Sequence, residues 1–185
     1  MDFRFATGSK NWRENIQDRA LELLEVSQPG KHDNVTISMS ELIPRYRLSS
    51  RQEIEGGVAA ALEVGWRTVL FAENEPVAAV DLAGEDFEVD GCVGDTAFKN
   101  FLAALNAAEQ IKDASPYEIR LLESPAILFS ALWLHGDPQD LLVPLVDEED
   151  LRAFKPVRLA DADPLLRRRA EKQLAAQKRY REHNG

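Results

Sequence analysis

Residues 117–146 hold the pattern that most restricts what this chain can become. Three apolar runs, 117–123, 127–135 and 141–146, are separated by short turns at Ser124-Pro125 and at Gly136-Asp137-Pro138. Connections that short cannot carry a crossover helix, so successive strands must pair antiparallel. In the middle run Phe129, Ala131 and Trp133 point one way and Leu128, Leu132 and Leu134 the other. A strand apolar on both faces belongs in the centre of a sheet, covered on both sides. The longest apolar stretch, 126–134, is nine residues with Ser130 inside it. That is far short of the ~20 residues needed to cross a bilayer.

Upstream the period changes. Trp12, Ile16, Ala20, Leu23 and Leu24 recur at helical spacing, which predicts a helix over 11–27 closed by Pro29-Gly30. Val35, Ile37 and Met39 alternate with Thr36 and Ser38 as in a strand, and 42–48 continues it or forms another. Ser50-Arg51-Gln52-Glu53 reads as a capping box opening a helix to residue 64, with Gly65 as its left-handed cap. Gly56 and Gly57 inside that helix cost about 1 kcal/mol each relative to Ala. Close packing on a sheet, or approach of backbone to a ligand, would explain them. Runs 66–72 and 76–82 predict a hairpin through Asn74-Glu75. Asp95-Thr96 caps a helix to about residue 112, with Phe98, Phe101, Leu102, Leu105 and Ala108 on one face. Helices lie before and between groups of strands. The expected class is therefore α+β: a mostly antiparallel sheet of about 5–7 strands, two or three amphipathic helices, and a basic C-terminal helix.

Charge divides the chain. Residues 1–150 carry 12 Lys+Arg against 28 Asp+Glu, whereas 151–185 carry 10 against 4. This suggests an acidic globular domain, 1–150, and a basic linker and helical extension, 151–185. Asp163-Pro164 reads as the start of the last helix, running to about residue 182. Around it Leu165, Leu166, Ala170, Leu174, Ala176 and Tyr180 share one side with Gln173 and Gln177, interrupted by Arg169. Arg167, Arg168, Lys172, Lys178 and Arg179 occupy the other and are the candidate partner-binding residues.

The acidic body argues against nucleic acid and anionic membranes, since both require clustered cations. A single cysteine, Cys92, excludes an internal disulfide, and residues 1–10 lack the apolar core of a signal peptide. The expected setting is the cytoplasm. Cys92 precedes the Thr96 helix, where a helix N-terminus would lower a thiol pKa, with His135 as base and Asp137 or Asp140 orienting it. The plainer reading of a lone cysteine is an inert residue. His32, His135 and His183 are scattered without metal-ligand spacing. Gly91 and Gly94 lack a phosphate-loop pattern and are flanked by Asp90 and Asp95. Trp66, Trp133, Phe87 and Tyr117 suit a core or a pocket wall. Glu118, Glu123, Arg120, Arg45 and Arg47 suit a salt-bridged sheet face. No motif calls for a cofactor or a metal.

The leading expectation is a non-enzymatic protein–protein interaction protein of adaptor, immunity-type or regulatory character. Its partner is another protein or a second copy, reached through the acidic body and the basic helix. The alternatives are a small enzyme or ligand-binding domain with a pocket near Cys92 and His135, and a homo-oligomeric scaffold joined through the C-terminal helix.

Overall fold

A computed structural model describes residues 3–4, 12–13, 16, 19, 22, 36–84, 86–111 and 116–184. The fold is α+β, with mostly antiparallel strands and a C-terminal helix. Ten strands occur among the described residues, more than the five to seven expected. Two of the additions, β1 (Phe3–Arg4) and β10 (Val157–Arg158), are two residues long and too short for any periodicity to reveal.

Contacts group the chain into two units, Met1–Arg4 with Tyr46–Glu63 and Asn100–Gly185, and Phe5–Arg45 with Val64–Lys99. The division expected at residue 150 followed charge, whereas this one follows packing. In the first unit β7 (Tyr117–Ser124), β8 (Phe129–His135) and β9 (Leu141–Pro144) form the expected antiparallel series. β10 continues it, and β1 lies parallel to β7. The register pairs Glu118 with His135 and Arg120 with Trp133. Every residue of β8 except Ser130 and His135 is buried, as the two-faced apolar pattern requires. Its start differs from expectation. Pro125–Ile127 forms a 3-10 turn, and Leu128 has φ 54° and is 83% exposed.

The helix expected over 50–64 is short, Ser50–Gly56. Its capping box is one residue earlier than predicted: Gln52 N–H donates to the Ser49 hydroxyl, and Ser49 N–H to the Gln52 side chain. Gly57, at φ 63°, ends the helix, and residues 62–64 already belong to β4 (Leu62–Ala72). The close approach inferred for the glycine pair is real at Gly57, but it is to the C-terminal helix. A Cβ there would lie 2.4 Å from Asp163 Oδ1. That helix spans Leu159–Asn184 and begins before the predicted Asp163-Pro164 start. Asp163 instead accepts from Val58 N–H at 2.9 Å and Arg167 Nε at 2.9 Å. Ala162, Leu166 and Ala170, one turn apart, are fully buried against a core that includes Leu122, Phe129, Trp133 and Leu142.

In the second unit β2 (Ile37–Met39), β4, β5 (Glu75–Ala83) and β6 (Glu88–Cys92) are antiparallel neighbours. The β4–β5 hairpin turns on Glu73-Asn74, both at positive φ, one residue before the expected pair. Two consecutive left-handed residues match the right-handed twist of the strands. Trp12, Arg13, Ile16, Arg19 and Glu22 are helical, with Trp12 and Ile16 buried among Leu70, Leu82 and Phe87. The remainder of the helix expected over 11–27 lies outside the described residues, as do Val35 and His32. Buried Arg45 and Arg67 share Asp81, Arg67 at 2.6 and 2.9 Å and Arg45 at 3.3 Å. The helix expected from Asp95 spans Asp95–Glu109 and buries Phe98, Phe101, Ala104 and Ala108. No helix among the described residues is long and apolar enough to cross a membrane.

Candidate functional site

The C-terminal helix changes environment along its length. Its first half is embedded on one side, but from Leu174 to His183 every residue is exposed. The five predicted cations divide accordingly. Arg167 is built into the fold: it pairs with Asp163 and donates to the Ile54 carbonyl at 3.2 Å. Arg168, Lys172, Lys178 and Arg179 are exposed, and Lys178 approaches Glu182 at 4.0 Å. At 3.6 residues per turn Arg168, Lys172, Ala175 and Arg179 fall within about 60° of one another, a basic stripe around a small residue.

Arg169 looked like an interruption of the apolar side; instead it fastens the helix. It pairs with Glu148 at 2.7 Å and donates to the Ile127 carbonyl at 3.0 Å. Part of the acidic run 147–150 is therefore occupied by the basic helix, and Asp147 accepts from Ala153 N–H. Spacing alone cannot show an arginine reaching across to a distant loop.

Around His135 the first unit builds an ordered polar cluster. Asp140 accepts from Trp133 Nε1 at 2.8 Å and from Gly136 N–H at 3.1 Å, and contacts His135 Nδ1 at 3.0 Å. Burial by itself would raise the Asp140 carboxyl, but these hydrogen bonds outweigh it and hold the group below its ordinary value. Asp140 is thus the carboxylate that orients His135. Arg120 lies over the rings of Tyr46 and Trp133, at 5.0 and 4.8 Å, and pairs with Glu118 at 2.9 Å. Arg47 approaches Glu123 at 3.5 Å. Arg45, grouped with these on sequence, belongs to the second unit and its Asp81 and Asp90 partners.

Two open clefts adjoin this cluster. One, of about 560 Å³, is lined by Val58, Ala59, Pro138 and Leu159 with Asp140, Arg158, Asp163 and Arg167. The other, of about 490 Å³, is lined by Pro116, Glu118, His135, Gly136 and Asp137. Asp140→Asn is expected to cost about 1–2 kcal/mol above pH 5. The depressed carboxyl contributes stability above its unfolded pKa and loses it as pH falls through the folded one, so the difference should close in acid. Urea unfolding followed at Trp133 tests this; a gap that does not narrow as pH falls contradicts it.

Cys92 lies in the second unit, closing β6 on an exposed position. Desolvation of the sulfur, then the charge of Asp81, pushes its thiol pKa up, the reverse of the expected helix effect. The residue sits in a strand before the helix, not in its first turn. Among the described residues no group of three or more His, Cys, Asp or Glu side chains is placed to hold a metal ion. No protein-family model, curated protein or solved structure matches the chain.

Proposed function

We propose that this chain is a cytoplasmic protein–protein interaction protein, adaptor, immunity-type or regulatory in character, that engages its partner with the outer half of the C-terminal helix. The observation that carries this is the change of environment at Leu174. A helix anchored by Ala162, Leu166, Ala170 and Arg169 continues for three turns with every residue exposed. An isolated helix that short is marginal in water, so the anchored part serves to present it. Its net positive charge supplies steering toward an acidic surface.

The test compares the native-cell partners of three chains: full length, one ending at Gln173, and Arg168→Glu/Lys172→Glu/Arg179→Glu. Cutting at Gln173 keeps Leu166 and Ala170, so the first unit should retain its melting transition. A partner held by the full chain and lost at least about tenfold by both variants is expected. A partner retained equally by all three contradicts the proposal. Light scattering on the same proteins identifies a second copy of this chain as that partner.

A second reading rests on the His135–Asp140 contact beside the two clefts, and takes this region as the polar end of a small-ligand or catalytic site. Binding of a small molecule that is abolished by His135→Ala and indifferent to the cut at Gln173 would favour it.

A further inference from the structure

We infer that the contact surface extends from the basic stripe onto the Pro125–Leu128 turn, with Leu128 as its apolar anchor, and that the surface fits an acidic amphipathic helix of a partner protein. This rests on the reading of the C-terminal helix as the contact.

Among the described residues four large apolar side chains are exposed: Leu62, Leu128, Leu174 and Tyr180. Three of them belong to the C-terminal helix or to the turn it touches. Leu128 is the most exposed, at 83%, and its backbone is left-handed, φ 54°. Both conditions are unfavourable for leucine. Water penalises the side chain, and the left-handed region crowds Cβ against the carbonyl. Phe87 shares that backbone conformation but buries its ring between Trp12 and Trp66. Among the described residues Leu128 gains no such burial, and the proposed contact would supply it.

The position of the turn also follows from contacts. Arg169 donates to the carbonyl of Ile127, the residue before Leu128. The turn is therefore held on the Arg169 side of the helix. On a helical wheel Ala176 and Tyr180 project within about 20° of Arg169, and the stripe of Arg168, Lys172, Ala175 and Arg179 begins about 60° further round. Apolar groups and cations thus lie side by side along one surface. An amphipathic helix with leucines on one edge and carboxylates beside them matches both strips. An anionic membrane also offers apolar depth and negative charge, and the vesicle control distinguishes it from a helix.

The experiment uses the full chain and a synthetic amphipathic helix of leucine and glutamate. Controls are a scrambled peptide of equal composition, a leucine–lysine counterpart, and anionic vesicles. Binding by the acidic amphipathic peptide alone is expected, weakening as salt rises. Leu128→Asn keeps a residue that tolerates the left-handed turn. It should bind at least about tenfold more weakly while melting no lower than the parent. Charge reversal at Arg168, Lys172 and Arg179 should weaken binding comparably. Equal binding of the scrambled peptide, preference for vesicles, or full affinity in Leu128→Asn overturns the inference. If the native partner is lost on cutting at Gln173 but retained by Leu128→Asn, the helix contact stands and the anchor falls.

Discussion

Replacing Glu53 by glutamine is expected to remove most of the pH dependence of the first unit's stability between about pH 4.5 and 7. Glu53 lies in the helix Ser50–Gly56 and is fully buried. One carboxyl oxygen accepts from the Ser124 hydroxyl at 3.0 Å, and the other has no hydrogen-bond partner among the described residues. Desolvation is the largest influence and raises the carboxyl from 4.5 to about 7. The Ser124 hydrogen bond and Arg169 oppose that rise, and Asp163 adds to it. Because the folded pKa lies above the unfolded one, the native state holds the proton more tightly. Stability is fully present below pH 4.5 and is lost as pH rises through 7. At 1.36 kcal/mol per pKa unit the loss is about 3 kcal/mol, a large share of a typical domain's margin. Glutamine stays neutral and can still accept from Ser124. Trp133 is the only tryptophan of the first unit, so urea unfolding read at Trp133 in a Trp12→Phe/Trp66→Phe background reports on that unit alone. Parallel declines of parent and variant between pH 5 and 8 would show that Glu53 is not the titrating group.

Gly65→Ala is expected to destabilise the second unit by about 3 kcal/mol or more. Gly65 has φ 148°, and a Cβ there would lie 2.0 Å from the Leu82 carbonyl oxygen. The obstacle is backbone in the paired strand β5, so no side-chain rotation relieves it. Relief means parting β4 from β5 beside the Trp66–Leu82 pair. Two other glycines separate the causes. Gly84, at φ 69° with nothing within 4 Å among the described residues, should cost about 1 kcal/mol for backbone strain. Gly91, with nothing within 4 Å among the described residues and an ordinary φ, should change stability by less than about 0.5 kcal/mol. Urea midpoints read at Trp12 and Trp66 rank the three, and a Gly65→Ala midpoint equal to that of Gly91→Ala refutes the argument.

Local chemistry made much of the fold legible. The antiparallel series of β7, β8 and β9 follows from short turns between apolar runs, a constraint that needs no tertiary information. The same holds for the β4–β5 hairpin, for the helix from Asp95 and for the helical spacing of Trp12 and Ile16. Errors gathered where one local signal had two readings. Ser49 and Ser50 both precede a glutamine or glutamate at capping distance, and only the backbone decides which one caps. Gly57 and Gly65 both suit a left-handed cap, and choosing Gly65 makes the expected helix about two turns longer than Ser50–Gly56.

The candidate site was legible only in parts. Charge counting picked out Arg168, Lys172, Lys178 and Arg179 as cations on the outer side of the helix, and all four are exposed, because a helix face is written in helical period. It grouped Arg167 with them without its Asp163 and Ile54 partners, which become visible only once the two helices lie together. His135 and Asp140 were named without the Trp133 indole that holds them. In the sequence Arg169 reads as an interruption, Glu53 as a capping partner and Leu128 as part of a buried strand, because the role of each is set by what distant segments leave near it: a loop carboxylate, a buried hydroxyl, or solvent. The amino-acid sequence by itself determined the α+β class, most of the elements and the basic stripe, for these depend on neighbours within a few residues. The tertiary structure alone decided which charges are buried, which are paired and which apolar groups stay in water, because dielectric and exposure are properties of the packed chain.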